Sequence, residues 1–226
     1  MPDALYQISI WLFPVLIAIT FHEAAHGYVA WRLGDDTAKN EGRVTFQPLR
    51  HVDTWGTVII PGSLLLMGTP FIFGWAKPVP VDFMKLNNPR RDMVWVAAAG
   101  PGVNLALAFA SAVLLHLTPM FSPDMGTWIV DNLRNSILIN LVLAVFNMLP
   151  LPPLDGGRVA VGLLPAPLAI QLARLERVGL LIVILAFLVV PMVGREFGYD
   201  VNPLVWLLEG PVKALSKFVM TAAGHF

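Results

Sequence analysis

The chain has 226 residues, of which 56% are hydrophobic and only 13% charged, and its mean hydropathy is +0.68. Soluble domains carry about a quarter charged residues, so this balance excludes a water-soluble globule and fits an integral membrane protein. Fifteen Lys and Arg offset fifteen Asp and Glu, which gives no hint of a nucleic-acid partner, and the lack of cysteine excludes disulfides, thiolate metal ligands and a cysteine nucleophile.

The first predicted span covers residues 5–33, with Pro14 expected to kink it and Gly34-Asp35-Asp36 expected to end it as a turn. No positively charged leader precedes it, so it does not read as a cleaved signal peptide. Its second half holds His22-Glu23-Ala24-Ala25-His26. On a helix the two histidines stand about 40° apart around the axis and about 6 Å apart along it, so they share a face and can grip one metal ion. Glu23, rotated by about 100° from His22, is free of the metal and near enough to hold a water beside it. A charged residue at mid-bilayer costs about 2.5 to 3.5 kcal/mol on insertion scales, and a purely structural helix would not carry three ionisable groups in a turn and a half. The pattern is that of a zinc hydrolase, His-Glu-x-x-His.

Residues 37–54 are polar, and Gly42-Arg43-Val44-Thr45-Phe46 alternates like a short strand or forms a plain loop. Residues 55–73 are apolar but broken by Pro61-Gly62, Gly68 and Pro70. Arg32, Lys39, Arg43 and Arg50 precede them and Lys77, Lys85, Arg90 and Arg91 follow, which puts both flanks on the cytoplasmic side. A re-entrant loop is therefore favoured, with a full span as the alternative. Val79-Pro80-Val81, just beyond, is a second short β candidate.

Residues 93–118 form a clear span whose Ala99-Gly100-Pro101-Gly102-Val103-Asn104 lets another helix come close, with Asn104 read as a helix-packing hydrogen bond. Residues 119–132, with Asp124 and Asp131 and no Lys or Arg, are expected as an outer loop. Residues 133–150 return and run into Asn147-Met148-Leu149-Pro150-Leu151-Pro152-Pro153-Leu154-Asp155-Gly156-Gly157-Arg158, where no helix can continue. Residues 163–177 are amphipathic and expected along the cytoplasmic surface, and residues 178–193 cross again. Asn202-Pro203 opens a last helix interrupted by Gly210-Pro211, either a short kinked span or an interfacial helix. His51 reads as a solvated loop residue, and His116 and His225 as lying outside any site.

The fold expected is an all-α polytopic membrane protein of about five or six transmembrane helices, with a re-entrant loop and short β segments. Residues 1–226 make one domain, with a core at about residues 5–158 and C-terminal helices at about 159–226. Two histidines leave zinc short of a ligand, since catalytic sites usually offer three. Asp155 is the best third candidate, because the first helix and the helix before the proline-rich bend both end on the cytoplasmic side. The competing reading of Asp155-Gly156 is an ordinary turn.

His22-Glu23-x-x-His26, Ala99-Gly100-Pro101 with Asn104, and Asn147 followed by Asp155-Gly156 together resemble the site-2 protease family of intramembrane zinc metalloproteases, over about residues 13–158. Gly74-Trp75-Ala76-Lys77-Pro78-Val79-Pro80 and Leu49-Arg50-His51-Val52-Asp53 resemble the compact prokaryotic members that lack PDZ and CBS domains. In those members a proline often follows the aspartate, where Thr54 stands here. The resemblance implies a three-helix catalytic core, one zinc ion on His22, His26 and Asp155, and Glu23 as catalytic base. It implies a part for Asn147 in holding substrate or the oxyanion, against the alternative of an amide that satisfies broken helix backbone. It makes Gly100, Pro101, Asn104 and Gly156 structural neighbours of the site. The partners implied are a transmembrane or membrane-associated protein substrate and the bilayer, in a prokaryotic cell membrane with the site toward the cytoplasm. Other classes that fit the same residues are an inactive membrane scaffold and a metal-binding or transport protein.

Overall fold

The computed structural model describes residues 2–59, 62–63, 74 and 76–225. Its regular structure is all helical, with no strand among the described residues. The first helix, α1 (Pro2–Arg32), runs through Pro14 without a break. It stops where expected: Gly34 takes a φ of 111°, open to glycine and strained for other residues, and the Asp35 N–H turns back onto the Ala30 carbonyl at 3.0 Å. After a single helical turn at Thr37–Asn40 and short 3-10 and π turns come α2 (Pro89–Leu114), extended by a 3-10 turn at Leu115–Met120, and α3 (Pro123–Asn147). Two short helices follow, α4 (Asp155–Leu163) and α5 (Ala166–Arg174). A 21-residue helix α6 (Glu176–Glu196), with a π segment at Leu185–Val189, precedes α7 (Pro203–Ala222).

Helices α1, α2 and α3 pack pairwise against one another and form the frame of the molecule. Alanines at their crossings, among them Ala18, Ala30, Ala97, Ala108, Ala112 and Ala144, are fully or nearly fully buried, so the backbones approach closely. Helix α7 lays Leu208, Val212 and Val219 against Ala108, Ala112, Ile137 and Leu141, which attaches the C-terminus to the same frame.

Among the described residues four helices are long and apolar enough to cross a membrane: Leu5–Arg32, Pro89–Met120, Pro123–Asn147 and Glu176–Glu196. The all-α polytopic membrane architecture is thus as expected. The alternatives for residues 55–73, re-entry or a span, turn on residues that lie largely outside the described ones, as does Trp75.

Three local expectations change. The outer loop of residues 119–132 shrinks to Phe121 and Ser122, because Ser122-Pro123 with Asp124 in the first turn starts a helix at once; Asp124 and Asp131 sit on α3. Gly210-Pro211 does not interrupt α7, which continues through Pro211. Its Asn202 cap does form, accepting the Val205 N–H at 3.2 Å. The stretches 42–46 and 79–81 are not strands among the described residues. Among the described residues no ladder partner runs beside either one: the Gly42 and Arg43 N–H groups donate to the Lys39 and Ala38 carbonyls, while the Thr45 carbonyl meets His51 and the Val79 N–H meets Glu23.

Candidate metal centre

Helix α1 points His22 and His26 to one side, as the four-residue spacing requires. Their Nε2 atoms lie 3.0 Å apart. Asp155, the first residue of α4, brings its Oδ2 to 3.2 Å from His22 Nε2 and 3.4 Å from His26 Nε2. All three residues are under a tenth exposed, at 7%, 9% and 7%.

The outer ring nitrogens decide what faces inward. His26 Nδ1 lies 2.7 Å from the Val96 carbonyl, which can only accept, so that nitrogen carries the proton. His22 Nδ1 lies 2.5 Å from Asn104 Oδ1 and donates in the same sense. In the neutral rings both Nε2 atoms are then lone pairs. They face a carboxylate oxygen that finds no hydrogen-bond donor among the described residues. Three acceptors pointed at one another repel unless a cation sits among them. Ligand atoms at about 2.0 to 2.1 Å around a tetrahedral zinc ion stand about 3.3 Å apart, so the observed triangle fits. The donor set of two imidazoles and one carboxylate is also that of catalytic zinc.

Glycines make the convergence possible. A Cβ on Gly100 would come within 2.4 Å of His26 Nε2 and 2.6 Å of His22 Nε2, so α2 can pass behind the rings only without a side chain there. A Cβ on Gly156 would meet the Met148 carbonyl oxygen at 2.2 Å, and one on Gly157 would meet Pro152 N at 2.2 Å. These two glycines let the proline-rich bend fold down against α4 and fix where Asp155 starts. Pro101, beside Gly100, is buried within α2.

Glu23 stands beside the cluster and outside it. Its Oε2 accepts the Val79 N–H at 2.8 Å. The stretch carrying Val79 is tied down along its length. Lys77 N–H donates to the His51 carbonyl (2.9 Å), buried Arg43 donates to the Lys77 carbonyl (2.8 Å), and Asp82 N–H donates to Asp35 Oδ2 (2.7 Å). Burial pushes the Asp35 carboxyl upward, and the donors Thr37 and Asp82 with nearby Lys85 outweigh it, leaving the group below the usual carboxylate range.

A cavity of about 490 Å³ opens onto the four residues, with walls that include Ile19, Phe146, Val79 and Leu180. Asn147 lines it, with its amide donating to the Leu143 carbonyl one turn back at 3.0 Å. Asn104 joins helices by hydrogen bonds, as expected, and is in addition the partner of His22. His51 is not solvated; it is buried, with Nε2 3.0 Å from the Thr45 carbonyl, and stands outside the cluster. His116 and His225 stack on each other at 4.1 Å and also stand outside it. Sequence reasoning missed Val96 and Arg43, and it read Val79 only as part of a β candidate, not as the partner of Glu23; Val96 and Val79 act through backbone atoms. It also passed over Asn140, whose signal was a polar residue inside an apolar span.

The chain matches the model of peptidase family M50, the site-2 protease family, over residues 10–131, which takes in His22, Glu23, His26 and Asn104. The chain belongs to family M50. Relatives carry consistent names. The Bacillus subtilis protein "Putative zinc metalloprotease YwhC" is 40% identical over 177 residues, covering 76% of this chain and 77% of that one. Rip2 of Mycolicibacterium smegmatis, with the same designation, is 26% identical over 210 residues, 93% of this chain and 76% of its own. MJ0611 of Methanocaldococcus jannaschii, again so designated, is 33% identical over 141 residues, 62% of each chain. No solved structure matches. As an M50 member with four apolar helices, the protein is a multi-pass membrane metalloprotease.

Proposed function

We propose that this M50 protein hydrolyses peptide bonds of membrane-spanning or membrane-adjacent substrates, with one zinc ion held by His22, His26 and Asp155 and with Glu23 as general base. The observation that carries the reading is the buried triangle of three acceptor atoms, beside a cavity and next to a carboxylate that is not part of it. Zinc in such a site supplies Lewis acidity, polarising a carbonyl and acidifying water toward neutral pH.

The chain's own groups do the rest. With Glu23 Oε2 occupied by the Val79 N–H, the other oxygen takes a proton from the attacking water and returns it to the departing amine as the C–N bond breaks. Val96 and Asn104 keep the two rings in the tautomer that offers Nε2 inward. Apolar cavity walls limit bulk water and accept substrate side chains. A helical substrate must first unwind, since its scissile carbonyl is otherwise hydrogen-bonded within the helix. Val79 and Val81 line the cavity, and the run from residue 76 to residue 82 has no helical structure, which supports a role in holding unwound substrate by edge pairing through the Val79 carbonyl and the Val81 backbone, since Glu23 holds the Val79 N–H and Pro80 has none. Asn147, on the cavity wall, is read as a contact to substrate or oxyanion. The Lys and Arg residues that flank the His26 end of α1 support an active site toward the cytoplasm of a prokaryotic cell. We read the chain as one membrane-embedded domain.

Purified protein should hold close to one zinc per chain, lost in His22→Ala, and a chelator should stop cleavage. Glu23→Gln should keep the zinc and cleave nothing. Comparing membrane proteomes of cells carrying wild type or Glu23→Gln should show the cut substrate. A Glu23→Gln protein that still cleaves, or a wild type that binds no metal, would overturn the assignment.

A further inference from the structure

Behind His22 lies a chain of buried polar groups that crosses all three helices of the frame. Asn104 on α2 and Asn140 on α3 are both 0% exposed. Asn104 Oδ1 faces His22 Nδ1 at 2.5 Å, while its Nδ2 donates to Asn140 Oδ1 at 2.8 Å and to the Ala18 carbonyl of α1 at 3.3 Å. Asn140 Nδ2 donates in turn to the Ser136 carbonyl at 2.8 Å and lies 3.3 Å from the Ser136 hydroxyl, which pairs with Ser111 at 2.8 Å.

The direction of this chain is forced from its far end. A carbonyl only accepts, so the Asn140 atom against Ser136 must be its NH2 and the atom facing Asn104 must be its oxygen. Asn104 must therefore present its NH2 to Asn140, a sense that the longer bond to Ala18 also requires. Its own oxygen is left for His22, whose Nδ1 must carry the proton. That leaves the lone pair on Nε2, toward Asp155. Each amide is fully committed, and reversing any one would set two like groups face to face in a dry interior.

We propose that Asn140 is a positioning residue for metal binding: through Asn104 it fixes the tautomer of His22, so that α3 helps decide which nitrogen the first helix offers to the ion. The inference rests on His22 being a metal ligand. It goes further in assigning a role to a residue that touches neither the cluster nor the cavity.

The test uses the full chain in detergent and reads zinc affinity by chelator competition. Asn104→Leu and Asn140→Leu keep the number and branching of side-chain heavy atoms and remove polarity. Losing a partner behind a metal-bound histidine typically weakens affinity about 10- to 100-fold, so Asn104→Leu should fall in that range and Asn140→Leu near its lower end, about tenfold. The double variant should be no weaker than Asn104→Leu, because Asn140 acts only through Asn104. Nitrogen-15 spectra of the metal-free wild type should show His22 protonated at Nδ1, and a second tautomer should grow in for Asn140→Leu. Unchanged zinc affinity in Asn140→Leu, or losses that multiply in the double variant, would overturn the relay. If Asn140→Leu fails to fold, the wild-type spectrum decides alone, and a proton found on Nε2 overturns it. Zinc that binds wild type and His22→Ala equally would instead defeat the metal-site reading beneath it.

Discussion

Gly100 shows how narrow the site is at the level of one atom. A single methyl there would stand 2.4 Å from His26 Nε2, closer than non-bonded atoms come, and neither ring can retreat because its other nitrogen is held by Val96 or Asn104. Gly100→Ala should therefore cost about 1 to 3 kcal/mol of stability by overpacking and lower zinc affinity by about tenfold or more, read by thermal unfolding and chelator competition. Wild-type zinc affinity in that variant would mean the rings move freely. Val79 offers a complementary test, because Val79→Pro deletes the N–H that holds Glu23, together with the valine side chain on the cavity wall. A hydrogen bond to a charged group contributes about 1.5 to 3 kcal/mol, so turnover should fall about 10- to 100-fold while the zinc content stays unchanged. Lost zinc would show that Val79 supports the cluster and not the base.

At the level of elements, the stretch over Glu23 depends on Asp35, which sits just past the end of α1 and captures the Asp82 N–H. Its carboxyl lies below the ordinary 3.8 in the folded protein, so it stabilises the fold above that pH, and the contribution disappears as pH falls through the folded value. Acid unfolding followed below about pH 4 should show this loss in wild type, and Asp35→Asn should be less stable near neutrality by about 2 kcal/mol and flatter in acid. Equal slopes would remove Asp35 from the account. The three long helices were legible as elements because about 20 apolar residues in a row admit little else. The start of α3 was not: residues 119–132 were expected as a loop, and the Ser122-Pro123 start signal makes a helix from residue 123. For the two β candidates, which could equally be plain loops, the loop alternative holds, since a local strand pattern says nothing about whether a partner strand exists.

For the whole molecule, the proposed metal ties α1 to the start of α4 across the frame, so it should act on stability as well as on chemistry. A ligand bound only by the folded state stabilises it by mass action, about 2.7 kcal/mol at a hundredfold excess over Kd. Chelation should lower the unfolding temperature of wild type and leave that of His22→Ala unmoved. Equal shifts in both would place the bound metal elsewhere.

The membrane class, the His22-Glu23-x-x-His26 face and the bend at Asp155 were readable along the chain because each is a local pattern: apolar length, a four-residue helical repeat, and prolines that stop a helix. Whether Asp155 meets the histidines, why Gly100 must be bare, and how Val79, Arg43 and Asn140 take part were decided only by the packed fold. Those contacts join groups far apart in sequence, several of them backbone atoms that every residue possesses, so no residue type announces them.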